Sequence, residues 1–245
     1  MKTVRMVVLL SLLGISAVAH AYVPASSFLV QQMAKKRSGL KGLRVKTRIT
    51  GTDSEIKEVG WYDAKTHIWR ARLFDSDDKI IYSYEKKLGG ETSLTLVAQL
   101  ESNFTSLAGA LIGKGVPVKL DAELMKLKTE EERLAAEKTG IARSDNLIGW
   151  QIGLDDPSFW ILKDEFVPLL LHTDGMIVRF EDTKTQRDFP YARTLTLYDG
   201  KNFVLRGEAM EVMVNPDMTD MKSVVVDPSE DAPNRLAEQW IRWIR

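Results

Sequence analysis

The stretch from Phe189 to Pro216, FPYARTLTLYDGKNFVLRGEAMEVMVNP, decides how the rest of the chain is read. Two alternating segments flank Asp199-Gly200, a dipeptide that favours the tight turn of a β-hairpin. Leu195 and Leu197 fall on one face of the first segment, and Thr194, Thr196 and Tyr198 on the other, so the hairpin has an apolar side to bury. It carries no obvious nucleophile, metal cluster or phosphate loop. A long hairpin without chemistry reads as wall.

The upstream texture agrees. LRVKTRIT (Leu43–Thr50) alternates Leu43, Val45, Thr47 and Ile49 against Arg44, Lys46, Arg48 and Thr50, the pattern of a half-buried strand with a basic wet face. EIKEVGWYD, THIWRARLF and KIIYSYEKK follow, separated by Asp63-Ala64-Lys65 and Asp75-Ser76-Asp77-Asp78, and TSLTLVAQL reads as a further strand. Strand character returns in LIGWQIG, SFWILKD, FVPLLLHTD and GMIVRFED, just before the hairpin.

Helical periodicity marks four places. Pro24 with Ser26 or Ser27 as cap opens a helix carrying Leu29, Val30, Met33 and Ala34, and Gly39 suits its stop. Phe104, Leu107, Ala108, Leu111 and Ile112 share a second helical face. Asp121 to about Lys138 is a charged helix whose Glu130–Arg133 run is a solvated face. The segment Ser229–Arg245 is amphipathic, with Leu236, Ala237, Trp240, Ile241, Trp243 and Ile244 on its apolar side. The expected order is a helix, about five strands, two helices, about six strands and a helix. That order predicts an α+β fold: one large antiparallel sheet, curled into an unclosed β-barrel, with helices covering the concave face.

The beginning of the chain speaks to compartment. Met1–Arg5 is basic, Met6–Val18 is apolar and Ala19-His20-Ala21 has the form of a cleavage site, the order of a secretory signal peptide. Cleavage after Ala21 is expected, which makes the protein periplasmic. No later segment approaches the ~20 apolar residues of a membrane-spanning helix, so none is expected. The domain reading is residues 1–21 as signal peptide, 22–228 as one half-barrel domain with a helical insertion at about 101–139, and 229–245 as an amphipathic helix. Cysteine is absent, so the fold relies on an ordinary core. Lys+Arg and Asp+Glu both number 34, and removal of Lys2 and Arg5 with the signal leaves a slight acidic excess. Such balance argues against nucleic acid as a partner.

Candidate chemistry is sparse. Beyond the signal only His67 and His172 remain, which with no cysteine predicts no metal and no other cofactor. The Asp75–Asp78 run lacks the spacing of a calcium loop. There is no G-x-S-x-G motif, and Glu165, Glu181 and Asp182 are the nearest approach to a carboxylate pair. An enzyme is not expected. The aromatic residues of the strands say more, because a curled sheet offers more concave surface than short helices fill. Trp69, Tyr82, Trp160, Phe166, Phe180, Leu195, Leu197 and Phe203 are the candidates to line a ligand cavity, and Phe104, Leu107, Leu111 and Ile112 to form its lid.

The second half of the chain also resembles the periplasmic carriers of the outer-membrane lipoprotein-sorting family. The resemblance rests on Trp160, Ile161, Lys163 and Asp164, on Pro168-Leu169, on the Phe189-Pro190 entry to the hairpin, on Val204-Leu205-Arg206, and on the exit Val212, Val214, Asn215 and Pro216. It implies an unclosed barrel with a helical lid over a cavity for acyl chains. The expected function is a periplasmic carrier or chaperone for lipid or lipoprotein acyl chains. The alternative is an envelope interaction module of the same fold with a filled cavity, meeting a protein partner through Trp240 and Trp243 of the last helix.

Overall fold

A computed structural model describes residues 23–89, 92–119, 138–217 and 234–245. The hairpin lies at its centre. Strand β10 (Phe189–Asp199) pairs with β11 (Asn202–Val214) across Gly200, whose φ of 57° supplies the left-handed backbone that a two-residue hairpin loop requires. Strand β11 then pairs along its other edge with β1 (Gly42–Thr50), from Leu43 opposite Val214 to Thr50 opposite Arg206, with a shift of register between Lys46 and Thr47. That ladder joins the two halves of the molecule.

From β1 a meander runs through β2 (Glu55–Asp63) and β3 (Ile68–Phe74) to β4 (Ile80–Lys87). A second meander comprises β5 (Thr139–Ser144), β6 (Leu147–Ile152), β7 (Ser158–Leu162), β8 (Pro168–Thr173), β9 (Met176–Gln186) and the hairpin. The result is one 11-stranded antiparallel sheet in the order β4-β3-β2-β1-β11-β10-β9-β8-β7-β6-β5, with β4 and β5 as unjoined edges. The expected α+β unclosed barrel is therefore present.

Helix α1 (Ser26–Lys35) precedes the sheet, α2 (Leu94–Leu100) and α3 (Phe104–Gly113) follow β4, and α4 (Arg235–Trp243) follows β11. Alternation on the strands sets the concave face: Leu43, Val45 and Ile49 on β1, Trp69, Ala71 and Leu73 on β3, and Leu195 and Leu197 on β10 are all buried there. The convex side of β1 carries Arg44 and Arg48, paired with Glu211 and Glu208 of β11.

Three local expectations are corrected. TSLTLVAQL is not a strand: Ser93 caps α2 by accepting from the Leu96 N–H, and all seven helical residues are buried. A short helix buried on every side has no amphipathic stripe, so periodicity does not separate it from a buried strand. Neither Ser26 nor Ser27 caps α1; the N-cap is Ala25, and both serines are buried inside the helix. Strand β5 was not anticipated, because Ile141 is its one large apolar residue, itself half exposed, and no apolar alternation results. The signal peptide and all but Lys138 of the helix expected over 121–138 lie outside the described residues.

Candidate functional site on the concave face

Two glycines shape the middle of the concave face. A Cβ on Gly60 of β2 would run into the Trp69 indole, and a Cβ on Gly207 of β11 would run into that of Trp240. The sheet thus gives up two side chains to let two large rings lie on its backbone. Trp69 comes from the sheet itself. Trp240 comes from α4, which Asn234 caps by accepting from the Ala237 N–H, and which buries Leu236, Ala237 and Trp240.

Next to these rings lies a buried polar niche. Glu58 of β2 is fully buried, although it alternates with Ile56 and Gly60 on the inward face. Arg245 is equally buried and donates to both of its oxygens, from Nε at 3.1 and 3.0 Å and from Nη2 at 2.8 Å. Trp240 Nε1 donates to Glu58 Oε1 at 3.0 Å, and the Tyr84 hydroxyl donates to the same oxygen at 2.6 Å. The Arg245 guanidinium carbon also stands 4.7 Å from the Trp69 ring centre and 4.6 Å from that of Trp240, within cation–π range of both.

Charge in the niche is balanced. Burial alone would lower the Arg245 pKa, but the Glu58 charge and hydrogen bonds more than restore it, holding it above its ordinary value. Burial first, and the Glu58 charge second, push the Tyr84 phenol well above the ordinary tyrosine value. Tyr84 therefore serves as a neutral donor. Burial also raises the Tyr191 phenol, against the opposing pull of the Arg245 charge.

Helix α2 braces the same region. The Ser93 N–H donates to the Arg245 carbonyl at 2.7 Å, the Thr95 hydroxyl to the Trp243 carbonyl at 2.8 Å, and the Ala192 N–H of β10 to Gln99 Oε1 at 3.2 Å. Arg37, just past α1, is buried with no carboxylate partner among the described residues: Nε donates to the Gln99 carbonyl at 2.7 Å and Nη1 to that of Met33. Burial lowers its pKa to about 9. A smaller cluster faces an open groove of ≈ 590 Å³ lined by His67, Leu94, Val97, Glu101 and Ala110. There His67 Nδ1 is 3.4 Å from the Tyr62 hydroxyl and 3.8 Å from Glu101 Oε2.

The cavity candidates divide. Trp69, Phe180, Leu195 and Leu197 lie buried on the concave face, and Tyr82 is half-buried opposite Leu73. Trp160 shares a ladder row with Leu170, Arg179 and Thr196, on the sheet face opposite to that of Phe159, Leu171, Val178 and Leu197. Phe166 is in a loop with a φ of 54°, edge-on to Phe28. Phe203 is 43% exposed and packs edge-on against Tyr198 at the rim. Of the lid candidates, Leu107 and Leu111 are buried, Phe104 is partly buried and Ile112 is 46% exposed.

Glu181 accepts from the Thr196 hydroxyl, Asp182 pairs with Lys184, and Glu165 lines a separate groove beside α1. Among the described residues no group of three or more His, Asp or Glu is placed to hold a metal ion, and no helix is long and apolar enough to cross a membrane. Glu58, Tyr84, Gln99, Tyr191 and Arg245 were not among the sequence candidates. The one legible signal was Glu58, a carboxylate on the inward parity of its strand, between Ile56 and Gly60.

No protein-family model matches the sequence, and no curated protein matches it. Among solved structures, a LolA superfamily protein from Nitrosomonas europaea is similar over 81% of this chain and 97% of its own, at 12% identity and a TM-score of 0.46. A DUF1329 family protein from Desulfovibrio piger is similar over 81% and 96%, at 6% identity and a TM-score of 0.40. The Pseudomonas aeruginosa MucA/MucB complex matches over 78% of this chain and 57% of that one, at 12% identity and a TM-score of 0.32. The likeness is one of fold outline alone, and it carries no residue roles.

Proposed function

We propose that this protein is an exported periplasmic binding protein that takes an apolar chain, of a lipid or a lipoprotein, against the concave face of its sheet. The observation that carries the reading is how that face is covered. Trp69, Leu195, Leu197 and their neighbours are buried beneath helices, and α4 contributes no hydrogen bond to the strand ladders. Removing α4 would expose an apolar surface without breaking the sheet.

The energies are comparable. Burying Leu236, Trp240 and Ile244 stabilises the covered state by roughly 1.5–3 kcal/mol per side chain. A twelve-carbon chain offers about 0.8 kcal/mol per methylene transferred from water, and so can compete for the same surface. No step beyond burial and release is required of the protein.

A second reading has its own support: Trp240 and Arg245 already fill part of the concave face, as in an interaction module that binds no ligand. Native mass spectrometry with a neutral single-chain lipid, monododecanoylglycerol, separates the two. A saturable one-to-one adduct is expected for a carrier. Absence of any adduct over the whole range below the micellar concentration, with this lipid and with a cationic twelve-carbon amine alike, would leave the filled module.

A further inference from the structure

We infer that the niche now held by Arg245 is a head-group site, and that the ligand it selects is a single-chain amphiphile with a cationic head. The inference rests on the carrier reading and names the ligand class of that same face. Segment α4 is then a stand-in for the ligand: the Trp240 ring occupies the place of the apolar body and the Arg245 guanidinium that of the head.

Charge complementarity supplies the reason. Glu58 is fully buried and keeps its place through Arg245, Trp240 and Tyr84. When α4 leaves, two of these three partners leave with it. Tyr84 remains as a single neutral donor, and a buried carboxylate without a cation is strongly disfavoured. An incoming ligand that brings only an apolar chain therefore meets an uncompensated charge, and one that brings a carboxylate or phosphate adds a second negative charge to the first.

An ammonium or guanidinium head restores what Arg245 supplied. It also meets the Trp69 ring, which Arg245 already uses as a cation–π surface. Among the described residues, two nearby cations do not fill the role. Lys86 of β4 shares a row with Tyr62 and Trp69, four residues along β2 from Glu58, or about 13 Å of strand. Its Nζ reaches the Ile241 carbonyl of α4 instead. Arg37 is tied to the carbonyls of Met33 and Gln99.

The test compares three twelve-carbon probes on the full chain, each below its micellar concentration: dodecylammonium, neutral monododecanoylglycerol and dodecanoate. Isothermal titration should rank them in that order, with the cation bound at least about tenfold more tightly than the neutral probe, as expected for a close desolvated charge pair. Substitution Glu58→Gln should bring the cationic and neutral probes to within about twofold of each other. Equal binding of all three probes to the unsubstituted chain overturns the head-group site while leaving the carrier reading standing. Binding of none overturns both. Because the ranking is measured on the unsubstituted chain, failure of the Glu58→Gln variant to fold does not protect the proposal.

Discussion

Substitution Arg245→Met tests whether the niche holds α4 in place. The methionine keeps most of the side-chain volume, so the change removes the guanidinium and little else. Glu58 is then a buried carboxylate with two donors left, the Tyr84 hydroxyl and Trp240 Nε1. Breaking one side of a buried ion pair costs about 3–5 kcal/mol, and two surviving donors place this case near the lower end. For a chain of this size a loss of about 3 kcal/mol corresponds to a fall in Tm of roughly 6–12 °C. Equilibrium urea unfolding followed by far-UV circular dichroism measures it. The double substitution Glu58→Gln with Arg245→Met removes the stranded charge as well and should recover about 1–3 kcal/mol relative to Arg245→Met alone. A single substitution costing under about 1 kcal/mol, or a double variant no more stable than the single, would refute the coupling.

Other perturbations probe the surroundings. Gly207→Ala places a methyl against the Trp240 ring and should cost about 1–3 kcal/mol by overpacking, with faster amide exchange in α4 as its signature. Trp69→Ala should cost about 3–5 kcal/mol in urea unfolding, whereas Trp160→Ala, on the opposite sheet face and half-buried, should cost clearly less. The Arg48 hydrogen bond lowers the Glu208 pKa and the Lys46 hydrogen bond lowers that of Glu211. Their contribution is therefore present above the unfolded glutamate pKa and is lost as pH falls through the lower folded values. On this exposed face it should amount to less than about 1 kcal/mol and weaken further in about 1 M salt, which unfolding at neutral and acid pH, at low and high salt, can measure.

The fold was largely legible because strand alternation and turn chemistry act locally. The Asp199-Gly200 turn fixed the hairpin, and the inward parity of Leu195 and Leu197 fixed its buried face. What pattern reading lost were elements without a polar–apolar contrast: α2, buried on all sides, and β5, with little apolar character. The niche was harder still. It joins residues up to 187 positions apart, so no spacing in the sequence reveals that Glu58 and Arg245 meet. Arg245 looked like the solvated end of an amphipathic helix, and only the tertiary fold shows it turned inward. Nor does any local pattern around Gly60 and Gly207 tell of the two indoles that lie on them.

Hydrogen exchange of the α4 amides, Arg235 to Trp243, measured in the full chain with and without dodecylammonium, tests the central claim most directly. Displacement of α4 by a ligand on the concave face predicts that protection in α4 falls as ligand binding saturates. Protection in β10 and β11 should persist, because their ladder is untouched. A saturated complex in which α4 stays as protected as before, or a chain that binds no ligand at all, would contradict the account.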